Sequence, residues 1–146
     1  MPNQTRQRSQ TASDAGFTLI ELLVVMIIIG ILAAIAIPAF LNQRRNAISA
    51  GQVADLRSVA DEVEAFYVNQ EEYPTNFVQG GGQVTISTAL GTGSQRVTVG
   101  NTLTYRLDGS GMAYCLIARN PRAAGDRVWI SNAGGVQPVS VTTCPF

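Results

Sequence analysis

The chain has no histidine and no lysine, and only two cysteines and one tryptophan in its 146 residues. Without histidine it lacks the commonest general base and the commonest metal ligand. Two cysteines fall short of the thiolates that a structural zinc site usually draws on. The composition therefore disfavours an enzyme, and no cofactor or metal is expected from it. Its 10 basic residues are all arginine, and 10 acidic residues balance them to a formal charge of zero. A dedicated nucleic-acid binder carries a basic excess, so the balance argues against one. Contact of Arg44 and Arg45 with DNA or another anionic surface stands as a secondary reading.

Charge is also missing from one long stretch, Leu22 to Leu41. About 20 helical residues cross the roughly 30 Å of bilayer hydrocarbon, so the length of the chain allows one membrane segment and one small domain. A secretory signal peptide is the competing reading, because Arg6 and Arg8 precede the apolar run. Its apolar core, however, is only about 7–15 residues long and its small-residue cleavage site follows the core. Here the run is longer and Ala15-Gly16 comes before it. A cut there keeps the anchor.

Arginines flank the run on both sides, at Arg6 and Arg8 and at Arg44 and Arg45, so the positive-inside count is nearly tied, and Arg44 and Arg45 read first as a mark of the membrane boundary. Cys115 and Cys144 weigh on the orientation. Two cysteines in an extracytoplasmic domain most often pair. A loop of roughly 30 residues closed that way restricts the unfolded chain by about 3.5 kcal/mol in the chain-entropy model. Two reduced, buried thiols in a cytosolic domain are the alternative. The expectation is a bridge in a domain outside the membrane.

Residues 1–16 are polar and without hydrophobic periodicity, and read as a disordered leader. Beyond the anchor, Val53, Leu56, Ala60, Val63 and Tyr67 recur at three- and four-residue steps with Phe66 beside them, and Asp55, Arg57, Asp61, Glu62 and Glu64 take the remaining positions. That spacing predicts an amphipathic continuation of the helix to about Asn69. Tyr73-Pro74-Thr75 ends it, since the residue before proline leaves the helical region. Short β-prone runs follow at 83–87, 96–99, 102–107, 112–118 and 127–131, with a weaker one near 136–141. Asp108-Gly109-Ser110-Gly111 is a hairpin signal. Gly80-Gly81-Gly82 and Gly91-Thr92-Gly93-Ser94 read as mobile loops, because neither leads into a helix as a phosphate cradle does. Asp61, Glu62, Glu64, Glu71 and Glu72 read as a solvated helix face. Asp108 or Asp126 is a candidate calcium ligand without a dense run of oxygen donors around it, and Trp129 reads as sheet core.

Gly16-Phe17-Thr18-Leu19-Ile20-Glu21, followed by an apolar helix with Gly30 and Pro38, resembles the class III signal of type IV pilins and pseudopilins. The resemblance covers residues 14–45 and continues weakly to Tyr73-Pro74-Thr75. It implies an α+β, pilin-like fold, in which a long N-terminal helix, apolar and then amphipathic, packs on a small antiparallel sheet. The implied domains are a prepilin leader (1–16), a membrane and filament-core half of the helix (17–43) and a globular domain (44–146). The implied processing is cleavage between Gly16 and Phe17 by prepilin peptidase, with N-methylation of Phe17.

The implied partners are further copies in a helical filament, an assembly platform protein and its ATPase, and the membrane before assembly. The implied location is the bacterial cytoplasmic membrane, with the C-terminal domain outside, and then an extracellular or periplasmic pilus. In that frame Glu21 pairs with the α-amino group that cleavage creates on Phe17, its own or a neighbour's, because a charge in hydrocarbon is costly unless paired. Gly30 and Pro38 interrupt the helix, and in a filament the segment between them is open to partial unwinding. The implied function is a structural pilus subunit. The alternatives are a pseudopilin of a type II secretion or DNA-uptake system and a minor, ligand-binding tip subunit.

Overall fold

A computed structural model describes residues 16–146; the leader expected at 1–16 lies, apart from Gly16, outside the described residues. Helix α1, Leu19–Gln70, contains both Gly30 and Pro38, so in the single chain neither residue ends the helix. The chain divides into two compact units, one ending at Ala39 and the other comprising Phe40–Phe146. In the first unit, side chains on every side of the helix are exposed, from Leu19 (89%) and Met26 (67%) to Ile35 (72%). A helix that is apolar all round belongs in an apolar surrounding. Its mean hydropathy of 3.0 over an 18-residue window is high enough, and its length sufficient, for a membrane span.

In the second unit α1 buries Ser49, Gln52, Asp55, Leu56, Val59, Ala60, Val63 and Phe66. This corrects the expected stripe at its ends. Phe66 (7% exposed) points inward and Tyr67 (41%) outward, because Phe66 continues the three- and four-residue steps from Val59 and Val63. Tyr67 instead stacks on Tyr73, ring centroids 4.5 Å apart. The helix ends at Gln70, and Glu71 takes a left-handed conformation (φ 58°) whose N–H donates to Tyr67 O at 2.7 Å. Such a cap normally falls to glycine, since a Cβ is strained there.

Two antiparallel sheets form where one was expected. The first contains β1 (Asn76–Gly80), β2 (Gln83–Ser87) and β3 (Thr92–Arg96), and the second β4 (Thr102–Leu107), β5 (Tyr114–Arg119), β6 (Arg127–Ile130) and β7 (Gly135–Val136). Strand β1 was not anticipated, and Gly81-Gly82, read as loop, is its two-residue hairpin turn with both φ positive (59° and 76°). That is the conformation the right-handed twist of paired strands demands. The expected strand at 96–99 is displaced to 92–96, where Thr85 lies opposite Ser94. Gly93 sits in this strand because a Cβ there would lie 2.5 Å from Glu62 Oε1 and 3.3 Å from Ile86 Cγ1. The weak run at 136–141 contributes only its first residue to β7; Pro138 has no N–H for a ladder.

The core packs Leu56, Val59, Ala60, Val63 and Phe66 of the helix against Val84 and Ile86 of β2, Leu103 of β4, and Tyr114, Leu116 and Ala118 of β5. Each fully buried side chain of this size contributes about 1.5–3 kcal/mol. Strand β5 is covered on both faces. Its alternate residues Cys115 and Ile117 join Val128, Ile130, Val141 and Cys144 in a second cluster, and the Cys115–Cys144 disulfide fastens the C-terminal segment to that face. Trp129 is half-buried against the main core. Tyr73, Tyr114, Tyr105 and Phe77 continue the aromatic contacts at centroid spacings of 5.1, 5.8 and 5.4 Å. Burial pushes the Tyr105 and Tyr114 phenols far above the ordinary tyrosine range, so these rings stay neutral.

A polar network joins the two sheets to the helix. Asp55, buried on α1, accepts from the backbone N–H of Thr98 at 3.0 Å, from its hydroxyl at 2.9 Å, and from Asn101 Nδ2. Asn101 accepts in turn from Asn120 Nδ2 and, at its carbonyl, from Gln79 Nε2, each at 2.7 Å. Gln79 Oε1 then takes the Leu103 N–H at 2.7 Å. One carboxylate therefore holds the β3–β4 crossing that separates the sheets.

Candidate functional site

Gly16, Phe17 and Thr18 precede the helix and are exposed, so the Gly16–Phe17 peptide lies in accessible backbone outside any helix or strand. Among the described residues no side chain would meet a Cβ on Gly16 within 4 Å. Helix α1 begins with a reciprocal capping arrangement. The Thr18 N–H donates to Glu21 Oε2 at 2.9 Å, the Thr18 hydroxyl donates to the same oxygen at 2.8 Å, and the Glu21 N–H donates to the Thr18 hydroxyl at 3.2 Å. Two of the donors that a helix start leaves orphaned are thereby satisfied.

Thr18 is the residue that reading for charge alone missed. Its signal was present, since Thr18-x-x-Glu21 before an apolar run is a capping box. Glu21 therefore has a local partner independent of any new terminus. Its second oxygen, Oε1, accepts no hydrogen bond among the described residues. The helix starts at Leu19, so in the uncut chain Phe17 lies outside it.

Replacing Thr18 with Val keeps the Glu21 charge and removes the cap. It is expected to weaken the helix start by about 1 kcal/mol. Amide hydrogen exchange of the full chain in micelles is the check: exchange should rise across Leu19–Leu22 and stay unchanged at Leu56–Val63. The Thr18→Ser variant, which retains the hydroxyl, should behave as wild type.

The remaining candidates are dispersed. Asp61, Glu71 and Glu72 are exposed, as a solvated face requires, whereas Glu62 and Glu64 are half-buried. Glu64 lies 3.4 Å from the Tyr73 hydroxyl, and burial, reinforced by that carboxylate, raises the Tyr73 phenol above its usual value. Asp108 is engaged by its own hairpin: Oδ1 accepts from Met112 N at 2.9 Å and Ala113 N at 3.1 Å, and Ser110 bonds Oδ2. The Ser110 hydroxyl, followed by these backbone donors, holds its carboxyl below the ordinary range. Asp126 pairs with Arg119 at 2.8 Å. Among the described residues no group of three or more acidic or cysteine side chains is close enough together to hold a metal ion.

Comparison with known proteins fits this arrangement. The family model described as the prokaryotic N-terminal methylation motif matches residues 11–37. The type IV wide pilus major component PilA4 of Thermus thermophilus is 32% identical over 116 residues, covering 80% of this chain and 79% of the relative. A fimbrial protein of Neisseria meningitidis is 38% identical over 66 residues, 45% of this chain and 39% of its own length. The type II secretion system core protein G of Escherichia coli is 31% identical over 65 residues, 44% of this chain and 45% of its own length. The chain thus spans less than half the length of these two relatives, and about four-fifths of the Thermus pilin. With a helix head of this chemistry, an apolar helix left uncovered, and a relative matched along most of both chains, the protein belongs to the type IV pilin and pseudopilin family.

Proposed function

We propose that the chain is a structural subunit of a type IV pilus. The single observation that carries this reading is the apolar half of α1, exposed on all sides and headed by Gly16-Phe17-Thr18-Leu19-Ile20-Glu21. Prepilin peptidase cuts between Gly16 and Phe17 and methylates the new amino group. The subunit waits in the cytoplasmic membrane with residues 44–146 outside. Transfer into a filament loses little hydrophobic free energy, because a core of packed Phe17–Leu41 helices is as apolar as lipid. Extraction is driven by the assembly ATPase acting through the platform protein.

The Phe17 ammonium of one subunit then meets Glu21 of a neighbour. In a low-dielectric core an unpaired charge is penalised, so the pair favours correct axial register. Glu21 Oε1 is the oxygen left open to receive it. The relatives from type II secretion favour the pseudopilin reading, whereas the C-terminal Cys115–Cys144 loop favours the pilus reading, since many pilins close such a loop.

Mass spectrometry and electron microscopy of material sheared from cells test the proposal. The expected result is abundant surface filaments whose main chain starts at methylated Phe17. An intact leader in those filaments, or filaments without this chain, would overturn it. Short filaments confined to the periplasm would favour the secretion reading.

A further inference from the structure

Three arginines converge where the globular unit begins. Arg44 and Arg45 of α1 and Arg122 of the β5–β6 loop line a cleft of about 450 Å³ together with Leu41, Ile48, Pro121 and Ala123. No carboxylate lines it, and none of the three guanidinium groups has an ion-pair partner among the described residues. The loop is held in position by its backbone. Arg122 N donates to Asn120 Oδ1 at 3.0 Å, Ala124 N donates to Ser49 Oγ on α1 at 3.3 Å, and Asn120 belongs to the network around Asp55. Folding thus brings Arg122 to two arginines nearly 80 residues earlier in the chain, although concentrating like charge without a counterion is unfavourable.

We infer that this cleft binds the phosphate of an anionic phospholipid headgroup while the subunit waits in the membrane. Arg44 follows the last residue of the apolar run, Leu41, by three positions. At 1.5 Å per residue that is about 5 Å beyond the hydrocarbon, the depth of the lipid phosphates. The planar guanidinium matches phosphate oxygens two at a time, and the apolar lining residues Leu41, Ile48, Pro121 and Ala123 offer contact to the glycerol and first methylenes. The inference rests on the proposed membrane-held state. It adds a headgroup preference that the apolar helix itself does not supply, since hydrocarbon does not distinguish headgroups.

The test is native mass spectrometry of the full chain in detergent micelles, titrated with phosphatidylglycerol or phosphatidylcholine. Wild type is expected to retain phosphatidylglycerol preferentially. Arg122→Gln is expected to lower that preference about fivefold, the usual weight of one basic residue near an anionic surface. Arg57→Gln removes the same charge from the exposed helix face and should change nothing. Circular dichroism and an intact disulfide in each variant keep misfolding from imitating the result.

Equal retention of the two lipids by wild type overturns the inference, as does an undiminished preference in Arg122→Gln. Displacement of the lipid by inorganic phosphate at equal concentration would mark a free-phosphate site and also overturn it. Loss of self-association in Arg122→Gln with lipid choice intact would assign the cleft to a second copy instead. Micelles report headgroup choice whether or not the chain enters a bilayer, and fractionation of cell membranes tests the anchor separately.

Discussion

Replacing Glu21 with Ala is expected to leave processing intact and to abolish filaments. In the proposed route cleavage and methylation act on the exposed Gly16–Phe17 segment before the helix, so the mature subunit should accumulate in the membrane with its normal terminus. Assembly then buries the Phe17 ammonium without a partner. Breaking a buried pair in this way costs about 3–5 kcal/mol, which at about 1.4 kcal/mol per tenfold is a hundredfold or more at each added subunit.

Two further variants separate charge from capping. Glu21→Gln keeps an acceptor for the Thr18 N–H but loses the charge, and should also fail to assemble. Thr18→Val keeps the charge and loses the cap, and should assemble with only a modest deficit. Quantitative blotting of sheared filaments against the membrane pool is the measurement. Normal piliation by Glu21→Ala would remove the pairing argument altogether.

Replacing Asp55 with Ala is expected to destabilise the globular unit by about 4 kcal/mol. Three donors converge on this carboxylate, from Thr98 N, Thr98 Oγ1 and Asn101 Nδ2. Asn101 is itself 4% exposed, so its amide loses a partner away from solvent while the exposed Thr98 turns its two donors to water, and hydrogen bonds to a charged group are worth about 1.5–3 kcal/mol each. The loss should propagate along Asn101, Gln79 and Leu103, because each holds the next. Asp55→Asn preserves shape but opposes its own amide donors to those of the loop, and should fall about midway. Urea unfolding of the full chain in micelles, followed by Trp129 fluorescence, gives the midpoint shifts. A change under 1 kcal/mol for Asp55→Ala would show that the crossing between the sheets holds without it.

Much of this protein was legible along the chain. The uncharged run Leu22–Leu41, the Gly16-Phe17 head with Glu21, the end of the helix shortly before Tyr73-Pro74 and the Asp108–Gly111 hairpin are local signals, each confined to a few turns or a single bend. Strand β4 was read with its bounds intact because Leu103, Tyr105 and Leu107 alternate inward along one half-buried face. Strand β3 was misplaced because nothing within 92–96 is apolar. Its position comes from pairing with β2 and from the close approach of Glu62 to Gly93.

The same division explains what remained hidden. Asp55 looked like a solvent-face charge, and became a buried anchor because its donors arrive from Thr98 and Asn101, more than 40 residues on. Gln52 is fully buried and reaches Ala118 O across 66 residues, which no helical periodicity predicts. Arg44 and Arg45 read as a boundary mark until the β5–β6 loop set Arg122 beside them. The sequence alone determined where the chain is apolar, where its motif-bearing helix head lies and where the Asp108–Gly111 hairpin turns, because those properties belong to contiguous residues. Only the tertiary structure decided which polar groups are buried and which arginines meet, because both depend on partners that become neighbours when the chain folds.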